Sequence, residues 1–147
     1  MKISDRGIDL IKKHEGLRLT AYLCPAGIPT IGYGHTKTVD ITDVARGTTI
    51  TEQQAVDLLR QDLKLVEIFM QRYVDLLSQN EFDSCCSFAF NVGCRAFSES
   101  TLLKRIKAGA PESAIRYEFS RWNKSGTQVL PGLVKRRQDE ADLFFSK

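Results

Sequence analysis

Apolar positions recur along this chain with two different periods, and each period marks a kind of element. From Ser4 to His14, Ile8 and Ile11 stand three apart on a charged background. That spacing predicts a short helix capped by Ser4, running to about residue 14 and stopped at Gly16. Leu17, Leu19 and Ala21 then alternate with polar neighbours, the two-residue period of a strand. Cys24-Pro25-Ala26-Gly27 reads as a β-turn with proline second and glycine fourth. Cys24 and Ile28 both precede proline and are biased to extended backbone. Residues 17–36 are therefore expected to form a small antiparallel sheet, and 37–50 a polar loop with one more short strand. Thr51, with Gln54 three residues on, has the form of a capping box. It opens a long helix whose apolar stripe is Ala55, Leu58, Leu59, Leu63 and Val66. Beyond it the chain reads as helical almost to its end, near 81–92, 100–108, 112–122 and 133–145. The breaks fall at Gly93, Gly109-Ala110-Pro111 and Pro131-Gly132.

The pattern predicts an α+β, mainly α, fold in one domain spanning 1–147. A small β-containing lobe, about 15–50, is joined by a long helix to a helical lobe, about 75–147, on which the N-terminal helix packs. A cleft between two such lobes is a natural ligand site. A chain of 147 residues buries about two-thirds of its unfolded surface and needs no staples. Apolar content of 42% and charged content of 27% are ordinary for a soluble protein. A net charge of +3 favours an anionic polymer, cell wall or nucleic acid, without choosing between them. The four cysteines, Cys24, Cys85, Cys86 and Cys94, form no C-x-x-C pattern, and with two histidines a zinc site is not expected. Cys85, Cys86 and Cys94 read as small buried hydrophobes of a helical core. Charges interrupt MKISDRGIDLIKKHEG every few residues, so neither a signal peptide nor a membrane anchor is expected.

The candidate chemistry is concentrated in Glu15–Thr36, where turn residues can present side chains to a cleft. Glu15 stands at the end of the first helix, whose dipole, with any burial, disfavours the ionised carboxyl. A carboxyl kept protonated near neutrality can give its proton to a leaving oxygen; alone, the same residue also reads as a plain surface glutamate. Cys24 and Thr30 follow at separations of nine and six residues. Each has an ordinary reading, as a pocket filler and a strand residue, and together with Glu15 they could line one cavity. In hydrolysis with inversion, the group facing the acid activates or holds a water on the far side of the sugar. A hydroxyl such as Thr30 orients water without titrating.

The Glu15, Cys24, Thr30 spacing resembles the E-x8-D/C-x5-T signature of the phage-type lysozymes, the endolysins of glycoside hydrolase family 24. The resemblance continues through Thr30-Ile31-Gly32-Tyr33-Gly34-His35-Thr36, Ala89-Phe90-Asn91-Val92-Gly93, Arg121-Trp122-Asn123 and Pro131-Gly132-Leu133-Val134-Lys135-Arg136-Arg137, in the family's order. It implies a phage-lysozyme-like fold and a muramidase that cuts the β-1,4 bond between N-acetylmuramic acid and N-acetylglucosamine without metal or organic cofactor. By the same resemblance Glu15 is the general acid, Cys24 stands where many members carry aspartate, and Thr30 holds the hydrolytic water. It further implies bacterial peptidoglycan as substrate, a host-cytoplasmic monomer and release to the wall by a holin.

Other positions carry weaker expectations. His35 is expected to hydrogen-bond within the β lobe or at the rim of a cleft. Phe90 and Asn91 could present a ring face and an amide to a sugar, core packing being equally open for Phe90. Ser100 could bind an N-acetyl group or the peptide stem. Trp122 reads as a core anchor of the helical lobe. Arg136 and Arg137 could reach an acidic residue such as Glu15 or be solvated. Two rivals accompany the lysozyme reading: a catalytically silent glycan-binding or structural protein on the same scaffold, and a basic nucleic-acid binder built on Lys135-Arg136-Arg137. Acids interleaved with that basic run (Asp139, Glu140, Asp142) speak against the second, making a solvated helix face of it.

Overall fold

A computed structural model describes residues 1–147 as a mainly helical α+β chain with a small β-hairpin near its N-terminus. It divides into two units, Glu15–Leu65 and the pair of segments Met1–His14 and Val66–Lys147. The boundary falls within the long helix rather than at either of its ends.

In the Glu15–Leu65 unit, β1 (Arg18–Leu23) pairs antiparallel with β2 (Pro29–Gly32). The Gly27 N–H donates to the Cys24 carbonyl at 2.8 Å and the Cys24 N–H to Ile28 at 3.0 Å. With Gly27 at φ +75°, this is the three-residue hairpin that a type I turn followed by a left-handed glycine makes. On the other edge of β1, Thr20 bridges Thr49, so the expected extra strand is a single bridge. Residues 37–50 are not simply a loop, because they contain α2 (Ile41–Arg46). The Asp40 carboxylate caps the N–H groups of Thr42 and Asp43, Asp43 answers the Asp40 N–H, and Gly47 closes the helix in the left-handed region at φ +67°. α3 (Glu52–Tyr73) opens with the expected capping box: the Thr51 N–H donates to Gln54 Oε1 at 2.8 Å, and the Gln54 N–H to Thr51 Oγ1 at 3.1 Å. Of its stripe, Ala55, Leu59, Leu63 and Val66 are buried, and Leu58 is only half-buried. A Cβ placed on Gly32 would stand 3.3 Å from Ala55 Cβ, so the hairpin packs on α3 through a glycine.

In the other unit, α1 (Asp5–Glu15, less its last residue) packs beside α4 (Gln79–Val92). The Ser4 N–H and hydroxyl both donate to the buried Asp83 carboxylate. The expected Ser4 cap on Gly7 is long, at 3.4 Å, because the hydroxyl turns to that carboxylate instead. Gly7 permits the close approach: a Cβ there would meet Ile3 at 2.6 Å and Asp83 at 2.8 Å. α4 is buried from Phe82 to Ala89 and is the core of this unit. Around it lie α5 (Cys94–Ser98), α6 (Thr101–Lys107), α7 (Glu112–Ser120) and α8 (Pro131–Phe144). Phe88 meets Phe97, Phe119 and Trp122 edge-on at 5.5–5.6 Å between centroids.

Three details differ from the sequence pattern. α5 is an added short helix. Pro131-Gly132 opens α8 instead of breaking the chain, since proline at the first helical position loses no hydrogen bond. Residues 123–130 carry a hairpin, β3 (Lys124–Ser125) with β4 (Gln128–Val129), turned at Gly126.

Candidate functional site

The β1–β2 hairpin brings Cys24 and Thr30 together, because the turn folds residues 24–28 back on themselves. Thr30 is buried, at 3% exposed, and its hydroxyl donates to the Ile28 carbonyl at 2.8 Å. The half-buried Cys24 sulfur accepts hydrogen bonds that hold its pKa below the ordinary thiol value. The Ile28 N–H contributes most against an opposing desolvation, followed by the Ala26 N–H. Donors aimed at sulfur favour thiolate. The hairpin thus supplies a thiol inclined to ionise beside a hydroxyl that retains its lone pairs.

Glu15 is the last residue of α1 and the first of the same unit as the hairpin. It is half-buried, and its Oε2 stands 3.5 Å from where a Cβ on Gly34 would lie. Gly34 is at φ +80°, so glycine both permits the turn and leaves room for the carboxylate. The turn around Gly34 is closed by two hydrogen bonds of 2.9 Å between the Ile31 and His35 backbones.

His35 is 2% exposed. Its Nδ1 lies 2.9 Å from Asp62 Oδ2 on α3, and its Nε2 2.6 Å from Thr38 Oγ1. Of the two expected places, interior or rim, the structure puts it in the interior. With both nitrogens of the imidazole engaged, His35 fixes this turn to α3. Asp62 carried no signal in the sequence, since its partner is 27 residues away.

The remaining expected residues lie in the helical unit. Asn91 is exposed and its Oδ1 accepts from Arg137 Nη2 at 2.8 Å; Phe90 is half-buried. Ser100 is buried as the N-cap of α6, where its hydroxyl donates to the Phe97 carbonyl at 2.6 Å and accepts from the Leu103 N–H at 3.1 Å. Its hydroxyl is therefore occupied as a cap. Cys85 and Cys86 are buried as expected, with burial raising their pKa, whereas Cys94 is only half-buried. Trp122 packs on Phe88 but is only half-buried. Arg136 and Arg137 are not solvated. They are 4% and 1% exposed and pair with Glu140, itself fully buried, at 3.1 and 2.9 Å. The run Lys135-Arg136-Arg137 accordingly presents no continuous basic face; Lys135, its exposed member, pairs with Asp139. No three His, Cys, Asp or Glu side chains converge in a way that could hold a metal ion.

The phage lysozyme family model matches residues 12–140. The endolysin of Acyrthosiphon pisum secondary endosymbiont phage 1 is 45% identical over 151 aligned residues, covering 99% of each chain. Among solved structures, a lysozyme mutant of phage P22 superposes with a TM-score of 0.88 at 42% identity, covering 99% of each chain. The muramidase domain of SpmX from Asticaccaulis excentricus superposes with a TM-score of 0.89 at 36% identity, also over 99% of each chain. With the mainly helical fold and its small N-terminal hairpin, these matches establish that the chain belongs to the phage lysozyme family, the peptidoglycan-degrading glycoside hydrolases known as endolysins.

Proposed function

We propose that the chain is a muramidase hydrolysing the β-1,4 bond between N-acetylmuramic acid and N-acetylglucosamine. In this reading Glu15 is the general acid, and Cys24 with Thr30 holds and activates the attacking water. The observation that carries it is the placement of Cys24 and Thr30 on the two sides of one tight hairpin, in the unit that Glu15 begins. Thr30 donates to the Ile28 carbonyl, so its lone pairs accept from water and turn a water lone pair outward. Cys24 as thiolate takes the water's second proton while the water oxygen bonds to the anomeric carbon. Glu15 protonates the departing oxygen, and the bond breaks with inversion. Proton exchange through solvent then restores the thiolate and the acid. These steps use no metal or organic cofactor.

We further infer that the enzyme acts as a monomer, accumulates in the host cytoplasm and reaches peptidoglycan after a holin opens the membrane. The endolysins it resembles support this part. No helix is long and apolar enough to cross a membrane.

Digestion of purified peptidoglycan, with products identified by mass and anomeric configuration, tests the reading. Hydrated muramic acid ends, first released as the α anomer, are expected. Anhydro ends would make the protein a lytic transglycosylase, and an absence of products would make it a glycan-binding protein.

A further inference from the structure

α6 is seven residues long and carries three cations, Lys104, Arg105 and Lys107, all of them exposed. No acid stands between Ser100 and Ala110. The acids that flank this stretch are engaged elsewhere, Glu99 with Arg95 and Glu112 with Arg116. None of the three cationic side chains has a hydrogen bond or an ion pair within the protein. A helix C-terminus favours positive side chains near its free carbonyls. Here the N–H groups of Ala108, Gly109 and Ala110 already take the carbonyls of Lys104, Ile106 and Arg105, at 3.0–3.1 Å. Lys104 and Lys107 stand three residues apart, a helical spacing at which like charges repel. The cluster works against the helix that bears it, and no contact inside the molecule offsets that.

The arrangement around the helix axis selects the partner. Successive residues turn by about 100°. With Leu102 and Leu103 buried, Thr101, Lys104 and Ala108 centre the outward face, flanked by Arg105 on one side and Lys107 on the other. The small Thr101 and Ala108 let the backbone approach a flat surface, and the long flanking cations reach down to it. A nucleic acid or other linear polyanion is instead tracked by cations along a groove, with aromatic rings where bases stack. α6 is convex and carries no aromatic residue. A second copy of the chain across a two-fold axis would set the same charges against each other. We propose that α6 is a docking face for a lipid bilayer rich in anionic phospholipid, whose phosphates form the two-dimensional array that diverging cations meet. The contact is peripheral, the protein lying on the bilayer rather than in it, and no helix is long and apolar enough to cross a membrane. It goes beyond the muramidase reading and does not depend on it.

Co-sedimentation of the whole protein with lipid vesicles tests this. Phosphatidylcholine vesicles containing about one-third phosphatidylglycerol should bind it, each α6 cation contributing about fivefold in affinity. Lys104→Gln/Arg105→Gln/Lys107→Gln should therefore weaken binding about a hundredfold, with folding checked by circular dichroism. Lys2→Gln/Arg46→Gln/Lys64→Gln removes three other exposed cations and gives the same net charge. Charges held more than about 10 Å from the lipid are screened, so this control should lose less than about fivefold. Pure phosphatidylcholine vesicles, or salt at about 0.5 M, should abolish binding. Equal losses in the two triple variants would overturn the proposal, leaving net charge as the cause. So would an absence of binding to the anionic vesicles, equal binding to pure phosphatidylcholine, or tighter binding to duplex DNA than to vesicles. Because the vesicles contain no peptidoglycan, the outcome is separate from that of the muramidase reading, which product analysis decides.

Discussion

Two clusters of polar side chains in this chain are built on opposite terms. Around Glu140, in the helical unit, the charges are buried and paired with one another. Glu140 Oε1 accepts from Ser87 Oγ at 2.7 Å and from Arg136 Nε at 3.1 Å, while Oε2 lies 2.9 Å from Arg137 Nε. Ser84 donates to the Glu140 carbonyl at 2.6 Å, and the Arg137 guanidinium lies 4.8 Å from the Phe88 ring centre. Around Cys24, in the Glu15–Leu65 unit, the side chains sit on turns shaped by Gly27 and Gly34, with a thiol half-open to solvent. The first arrangement ties α4 to α8 through charges closed off from solvent. The second keeps a thiol open to solvent, which the proposed mechanism needs. Strong charge and deep burial alone do not mark a site.

This contrast breaks most readily at Glu140. Glu140→Ala leaves two buried guanidinium groups without their counter-ion and should cost about 3–5 kcal/mol of stability in urea denaturation. A loss below about 1 kcal/mol would mean the network is not the structural element described. At the other cluster, Cys24→Ala should leave the denaturation midpoint nearly unchanged and lower kcat by about 10² to 10⁴, the range for a lost general base. In the proposed mechanism the active form is the thiolate, present above the thiol pKa and lost as pH falls through it. Thr30→Val removes the hydroxyl proposed to orient the water but leaves the Ile28 and Ala26 N–H donors to the sulfur, so kcat should fall while the acidic limb of the residual profile stays in place. Unchanged kcat would separate Thr30 from the reaction.

The smallest effect concerns Asp139. Burial opposes its ionisation, but Lys13, Lys135 and His14 donate to it and hold its pKa at about 2, below the ordinary 3.8. Its Oδ2 lies 2.8 Å from Lys13 Nζ and 2.9 Å from His14 Nε2, so it anchors the last turn of α1, one residue before Glu15. A depressed carboxylate pKa adds stability above the unfolded value and loses it as pH falls through the folded one. Asp139→Asn should therefore lower stability near neutrality and flatten its decline between about pH 4 and 2, seen in acid unfolding followed by circular dichroism.

The local parts of this account were legible in the chain itself. Thr51 and Gln54 announce α3 because both halves of a capping box lie within one turn. Glu15, Cys24 and Thr30 lie within sixteen residues on a helix end and a hairpin, so their candidacy needed only the turn glycines and the family spacing. α2 has an equally local box, Asp40 with Asp43, yet β-branched residues crowd its surroundings and none of its residues is buried, so no apolar stripe marks it. The β3–β4 hairpin was hidden because its two-residue strands are too short to show alternation. Contacts between distant segments had no signal at all. His35 meets Asp62 across 27 residues, and Ser87 meets Glu140 across 53. For that reason His35 read equally as rim or interior, and Arg136 and Arg137 as solvated or paired.

The central claim is that Glu15 supplies the proton. The measurement that tests it most directly is the rate of reducing-end release from purified peptidoglycan by Glu15→Gln beside the unaltered chain, with folding checked by circular dichroism and binding by co-sedimentation. Glutamine keeps the shape and removes the proton, so a fall of about 10² to 10⁴ with folding and binding retained is expected. Equal rates would contradict the account.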